Sequence, residues 1–390
     1  KEVIEICKDE NNTDYSAYTA LANISSKKPK LKKELKLGTE NHYINLLVKQ
    51  LKKNKDLKQS LFEFKKASNK LNIIANMEKL VENRSLLSIT EYLVIKEAKI
   101  ENKYDSNKKI SNLEKFEKEK IIKKTLEKIV KTKAQIPSYY DHFEEDGHTY
   151  YITRLCQGYT FSEAINIGWL NEKNYKKVLD LIATIHVKTP LELLSDYNLE
   201  DKLDKRISKK DIDPEFKSYC KPVVEVLKNS KNICYNKDST TENWMITPDE
   251  TIVLIDTEDK GIVPYALDLA SFLNLDEPFV DFEERFDYVQ LYIDTVNNIC
   301  DSEKRPDRKI NDKELFLEEY CNAVIYRSIT NSSSLSLKNE SRAAFNMRTT
   351  GIQMIDYMKE NNMIKKVDEE NYNKIKEQLE DWINNSAKQE

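Results

Sequence analysis

The chain has 390 residues, of which 39% are hydrophobic and 33% charged, which excludes a disordered protein and allows one two-lobed unit or two domains. A net charge of −4 argues against a general nucleic-acid binder. No apolar run reaches the roughly 18–20 residues that a membrane span needs, so we expect no membrane segment. Six cysteines without a CxxC pair exclude a zinc framework and favour a reduced, cytoplasmic compartment.

The first half of the chain changes character several times. Residues 1–70 are predicted to form a polar, partly helical extension, because apolar residues recur at helical spacing over 42–71. Short apolar segments broken by polar turns over 73–98 predict antiparallel strands. A charged amphipathic helix follows over 112–131, and then a strand runs over 148–158.

The second half is mainly helical. Helices are predicted over 161–167, 172–188 and 213–229, and a β-rich stretch over 232–256. A small sheet with one helix, a hinge and a larger helical part make a two-lobed α+β plan. We therefore divide the chain into the extension 1–70, a small lobe 71–155 and a helical lobe 156–390.

A carboxylate and a carboxamide stand just ahead of a short apolar strand, where Asp238 is followed five positions later by Asn243. Residues 244–247 and 252–255, joined by a Pro-containing turn, predict a β-hairpin. The hairpin would place Asn243 beside Asp256, and their oxygens are ligands suited to Mg²⁺. On the preceding loop, Asp238 can orient or deprotonate an attacking hydroxyl.

This set of side chains is the arrangement of kinase-type phosphoryl transfer. Residues 236–243 read NKDSTTEN, and the chain resembles the aminoglycoside phosphotransferase and choline kinase family, whose loop has the pattern HGDxxxxN. Asp238 and Asn243 match that pattern. Asn236 and Lys237 replace its His and Gly, which opens the alternative of a weakened or lost activity.

Further segments support the resemblance in the expected order. Residues 255–261 read IDTEDKG and 266–270 read ALDLA, as in the family's I-D-x-E-x-x-G and D-L-A segments. Residues 181–186, LIATIH, resemble its L-A-x-L-H helix, and residues 151–158, YITRLCQG, resemble its hinge strand. The resemblance implies a protein-kinase-like fold with an antiparallel-sheet small lobe and a mainly helical large lobe.

The resemblance also implies a nucleotide site in the small lobe. It assigns Lys96 to the strand lysine, with Lys99 as the alternative, and Glu119 to its helical partner, with Glu117 second. Adenine is then expected against the backbone of the hinge residues Thr153, Arg154, Leu155 and Cys156.

Three further residues or segments receive more general assignments. Asp268 is expected to accept backbone N–H bonds from the catalytic loop, and His186 to be a buried structural histidine. The acids and aromatics of residues 276–284 suit a cationic acceptor, or they form an ordinary acidic helix start.

We therefore expect a Mg²⁺-dependent kinase that transfers the γ-phosphate of ATP or GTP to a hydroxyl of a cationic small molecule, such as an amino sugar, a choline-like amine or an amino alcohol. The alternative is a pseudokinase that serves as a binding module. A protein kinase is less favoured, because the dozen residues between Asp256 and Asp268 leave no evident activation segment.

Overall fold

The structure is a computed structural model that describes a defined part of the chain. The described residues are 85–89, 93–98, 112–131, 133–145, 148–154, 156, 158–166, 170–194, 197–207, 215–235, 239–257, 261–274, 280–331 and 342–386. The predicted extension 1–70 lies outside them. The chain divides into two compact units, one of Lys1–Lys120 with Pro137–Gln157 and the other of Ile121–Ile136 with Gly158–Glu390.

The strands of the described residues are short. In chain order they are β1 (Ser85–Ile89), β2 (Leu93–Ala98), β3 (Ala134–Gln135), β4 (Tyr139–Glu145), β5 (His148–Arg154), β6 (Tyr159–Thr160), β7 (Ile233–Tyr235), β8 (Trp244–Ile246), β9 (Ile252–Leu254) and β10 (Ile262–Pro264). Only the backbone is described for β1, β2 and most of β4 and β5.

Helices make up most of the second unit. The α-helices of the described residues are α1 (Asn112–Val130), α2 (Phe161–Asn166), α3 (Glu172–Lys188), α4 (Leu199–Ile207), α5 (Phe216–Tyr219), α6 (Lys221–Lys228), α7 (Tyr265–Leu273), α8 (Glu284–Glu303), α9 (Lys313–Thr330), α10 (Arg342–Glu360) and α11 (Glu369–Ser386). Among these described helices, none is both long and apolar enough to cross a membrane.

The sheet of the first unit is antiparallel and has the strand order β1-β2-β5-β4. The predicted strands around 85–89 and 93–98 are confirmed, and β1 pairs with β2 with Ser85 opposite Ala98. Strand β4 was not predicted. Its sequence YYDHFEE mixes aromatic residues, which favour strands, with acids, which do not, and pairing with β5 decides the outcome.

The second unit is built on helices with extensive buried faces. Helix α3 has the predicted bounds, and its N-cap Asn171 accepts a hydrogen bond from the backbone of Asn174. Every residue of α7 is buried, as expected for a core helix. The predicted α+β class, with an antiparallel sheet in one unit and mostly helices in the other, is confirmed.

The helix predicted over 213–229 is wrong in one respect, because it divides into α5 and α6. Pro222 stands in the first turn of α6. Proline has no N–H to donate and its ring clashes with the preceding turn, so it begins a helix more easily than it continues one. The chain therefore turns at Cys220 between the two helices.

Glu319 is a buried acid on α9. Its side chain accepts a 2.8 Å hydrogen bond from the Ser230 hydroxyl, and the residue is 3% exposed. Burial raises the pKa of Glu319 to about 7, and the nearby charges of Glu318 and Asp312 act in the same direction. The folded protein thus keeps this proton over a pH range in which the unfolded chain, with a pKa of about 4.3, has lost it.

We predict that Glu319→Gln stabilises the protein at high pH and not at low pH. Between about pH 4.3 and 7 the folded state binds more protons than the unfolded state, so the wild type loses stability as the pH rises. The variant lacks this loss, and its advantage reaches roughly 1–3 kcal/mol above pH 7. Urea unfolding at pH 4.5 and 8 measures it. Exposed Glu314→Gln on the same helix is the control, and an equal, pH-independent effect of both variants contradicts the prediction.

Candidate functional site

The predicted hairpin is present and brings two of the predicted site residues to its open end. Strands β8 and β9 pair antiparallel with Trp244 opposite Leu254. One residue further, the Ile255 N–H donates a 3.1 Å hydrogen bond to the Asn243 carbonyl. Asn243 and Asp256, which follows Ile255, therefore flank the same end of the hairpin, and both are half-buried.

The hairpin is a rigid support for Asn243 and Asp256, because its strands are part of the hydrophobic core. Trp244, Ile246, Ile252 and Leu254 are at most 1% exposed. The outer side of β9 pairs in parallel with β3. The polar residues at the strand ends are consequently held by a buried apolar support, which limits how far they can move.

Asp268 is a fully buried carboxylate that binds Ser239, the first residue of the described segment 239–257. Its Oδ1 accepts the Ser239 N–H at 3.0 Å, and its Oδ2 accepts the Ser239 hydroxyl at 2.7 Å. Ser239 directly follows Asp238 in the chain. The prediction that Asp268 accepts a backbone N–H from this loop is confirmed.

His186 bridges Asp268 to a third helix. Its Nε2 lies 2.9 Å from Asp268 Oδ2, and its Nδ1 lies 2.6 Å from the hydroxyl of Tyr292 on α8. The Tyr265 hydroxyl donates to the His186 carbonyl at 3.3 Å. His186 has no exposed surface, so its prediction as a buried structural histidine is confirmed.

The hydrogen-bond roles follow from the chemistry of these groups. Asp268 receives two donors from Ser239 and acts as an acceptor for both, so we assign the proton on His186 to Nε2 as the third donor. Asp268 also lies in the first turn of α7, where the helix dipole favours a negative charge. Burial raises the pKa of Tyr292 well above its usual value, so its hydroxyl keeps its proton.

The structure gives a reason for the glycine that ends the IDTEDKG motif, Gly261. It closes the IDTEDKG segment, is buried and has a φ of 91°. This left-handed backbone conformation strains residues with a Cβ, which gives a physical reason for a glycine there.

The predicted nucleotide residues of the first unit are described only in part. Lys96 lies in β2 opposite Tyr151 of β5, with its backbone alone described. Glu119 on α1 is 5% exposed. The alternative Glu117 forms an exposed ion pair with Lys120 at 3.7 Å. The pairing of Lys96 with Glu119 stays a prediction, and Lys99 lies outside the described residues.

The hinge residues have different environments. Thr153 is 8% exposed in β5, opposite Val94 of β2. Arg154 ends β5 and only its backbone is described, while Cys156 is half-buried and is not in a disulfide. Leu155 lies outside the described residues.

The catalytic candidate Asp238 lies outside the described residues, as do Asn236, Lys237 and Glu258. Of the acidic segment, residues 276–279 also lie outside them. The remainder, 280–284, leads into α8, and its acids are exposed.

Sequence reasoning missed two residues of the buried network. Ser239 falls on an unassigned position of the loop pattern, although serine side chains in loops commonly form local hydrogen bonds. Tyr292 lies on the buried stripe of α8 with Tyr288, Val289 and Val296. A tyrosine on such a stripe signals a buried hydroxyl that needs a partner, but the sequence does not identify that partner.

A scan of the chain against models of known protein families finds no match, and a search of curated proteins finds none either. Solved structures of similar shape include choline kinase LicA from Streptococcus pneumoniae, at 14% identity and a TM-score of 0.49, covering 76% of this chain and 98% of that one. A spectinomycin phosphotransferase bound to ADP and spectinomycin has 14% identity and a TM-score of 0.46, covering 77% and 93%.

An ethanolamine kinase from Plasmodium vivax is similar at 15% identity and a TM-score of 0.44, covering 75% of this chain and 85% of that one. At such identities and TM-scores, these likenesses carry no argument about activity.

We predict that Asp268→Asn destabilises the fold by about 2–4 kcal/mol. The amide nitrogen cannot accept from Ser239 or His186, so at least one buried donor loses its partner. Asp180→Asn is the matched control, because the Asp180–Lys133 ion pair is 41% exposed on both sides and contributes less than about 1 kcal/mol. Urea unfolding followed by circular dichroism compares them, and equal losses in the two variants contradict the prediction.

Proposed function

We propose that this chain is a Mg²⁺-dependent small-molecule kinase related to the aminoglycoside phosphotransferase and choline kinase family. The main support is the hydrogen bond from the Ile255 N–H to the Asn243 carbonyl, which places Asn243 and Asp256 at the same end of the hairpin. A second support is the buried bond from Ser239 to Asp268, since it anchors the residue next to Asp238. The ordered motif matches between residues 151 and 270 support the same assignment.

Each predicted site residue has a role in this proposal. Asp238 orients and activates the acceptor hydroxyl. Asn243 and Asp256 supply a carboxamide and a carboxylate oxygen, a donor set that fits Mg²⁺, which takes few protein ligands when phosphates supply the rest. When bound, the ion neutralises charge on the phosphates of the nucleotide.

The residues that the resemblance assigns to the nucleotide keep their roles in this proposal. Lys96, paired with Glu119, steadies the phosphates, and the backbone of Thr153–Cys156 receives the base. Catalysis then relies on positioning and charge neutralisation, without a covalent enzyme intermediate. The donor is ATP or GTP.

The acceptor proposed is a cationic small molecule with a free hydroxyl, and neither a nucleic acid nor a membrane is proposed as a partner. The acids Asp281, Glu283 and Glu284, next to Phe282 in the sequence, are exposed, while the Phe282 ring packs edge-on against Phe286 and lies under the Arg285 guanidinium, both at 5.6 Å. The exposed carboxylates attract an ammonium group by charge. An amino sugar, a choline-like amine or an amino alcohol fits this description.

A cytoplasmic location is part of the proposal. The five cysteines of the described part, Cys156, Cys220, Cys234, Cys300 and Cys321, are not in disulfides. Cysteines outside disulfides suit a reducing compartment.

The second candidate is a pseudokinase that binds a ligand or partner without transferring phosphate. The observation that favours it is Asn236-Lys237 in place of the family's His-Gly. The intact Asp238, Asn243 and Asp256 favour the enzyme. Phosphate transfer separates the two candidates, since nucleotide binding alone is compatible with both.

We predict that ATP or GTP binds in the presence of Mg²⁺ and that Asp256→Asn weakens this binding at least about tenfold, because one charged ligand of the ion is lost. Isothermal titration calorimetry with and without Mg²⁺ measures the affinity. Asp249→Asn is the matched control, because Asp249 lies in the exposed turn at the opposite end of the same hairpin. The absence of binding of either nucleotide at millimolar concentration contradicts the kinase proposal.

A further inference from the structure

The Tyr292 hydroxyl is one end of a buried series of hydrogen bonds that leads to Ser239, the residue after Asp238. The series runs from Tyr292 through His186 and Asp268 to Ser239, with distances of 2.6, 2.9 and 2.7 Å. All four residues are fully buried. It joins α8, α3, α7 and the loop, so four separate segments depend on one network.

The donor and acceptor roles in this network define what the Tyr292 hydroxyl does. Asp268 accepts from both Ser239 groups, and we assign it the His186 Nε2–H as a third donor. With the imidazole proton on Nε2, the Tyr292 hydroxyl, 2.6 Å from Nδ1, donates to that nitrogen. Without the hydroxyl, Nδ1 is a buried acceptor that has lost its donor, and the ring that brings Nε2 to Asp268 is held at one end only.

The ring of Tyr292 is held independently of its hydroxyl. It stacks on Phe316 with ring centroids 5.8 Å apart and meets the His186 ring edge-on, also at 5.8 Å. Replacing Tyr292 by Phe therefore removes the hydrogen bond and leaves the aromatic packing, which makes the role of the hydroxyl testable.

We propose that Tyr292 is a positioning residue for phosphoryl transfer. Its hydroxyl holds the His186 ring at Nδ1 so that Nε2 stays on Asp268, and through Asp268 it fixes the Ser239 peptide that adjoins Asp238. This inference rests on the proposed function for its catalytic consequence. Its structural part, the fixing of Ser239, does not depend on that function.

The test compares Tyr292→Phe with Tyr326→Phe. Tyr326 is also a fully buried tyrosine that donates one hydrogen bond, at 2.8 Å to the Leu199 carbonyl, and it takes no part in the network. The two variants lose the same chemical group, so a general loss of stability affects both. Steady-state kinetics with the phosphate acceptor and hydrogen exchange of peptides covering 236–243 are measured for each.

We expect Tyr292→Phe to lower kcat about tenfold, because a small displacement of a catalytic group is costly, while the KM for the nucleotide changes less than twofold. Amide exchange over 236–243 should accelerate in this variant alone. His186→Gln, whose amide nitrogen takes the place of Nε2, should retain more kcat than His186→Leu. A merely structural role predicts neither the kcat-specific loss nor this rescue.

Equal kcat and equal exchange over 236–243 in Tyr292→Phe and Tyr326→Phe overturn the proposal. If the wild type transfers no phosphate, the proposed function fails, and the exchange comparison alone decides the structural part. Faster exchange in Tyr292→Phe then supports the link to Ser239, and unchanged exchange overturns it.

Discussion

The structure of the candidate site depends on one buried charge, the carboxylate of Asp268. A carboxylate without exposed surface is costly unless donors surround it, and here the donors come from Ser239 and His186. Because α7 is buried along its whole length, the carboxylate cannot turn towards water. The donors therefore have to be supplied by the protein, from Ser239 of the loop and His186 of α3. Their hydrogen bonds to the Asp268 carboxylate fix Ser239, the residue next to Asp238.

The β8–β9 hairpin provides the second constraint. Its apolar strands are part of the core, so Asn243 and Asp256 stand on rigid backbone at one end. Polar groups held by a rigid support are preorganised, and phosphoryl transfer depends chiefly on such positioning and on charge neutralisation.

The sequence predicts those parts of the fold in which local pattern and tertiary packing agree. The apolar stripe of α3 and the hairpin around Pro248 have the predicted bounds or pairing, and the D-L-A aspartate accepts the predicted backbone bond. Pro222 was a readable signal for the break between α5 and α6. Strand β4 depends on pairing with β5, and the Tyr292–His186 contact joins residues 106 positions apart, so neither follows from local sequence. The roles of Lys96, Glu119 and Asp238 stay predictions.

The most direct test of the central claim is ³¹P NMR of ATP or GTP incubated with the protein, Mg²⁺ and a panel of amino sugars and amino alcohols. The account predicts a new phosphate-ester signal together with the nucleoside diphosphate, and no new ester with Asp238→Asn at equal thermal stability. Turnover by Asp238→Asn equal to that of the wild type contradicts the assignment of the site. Unchanged nucleotide and acceptor throughout the panel contradict the kinase activity and favour a binding module.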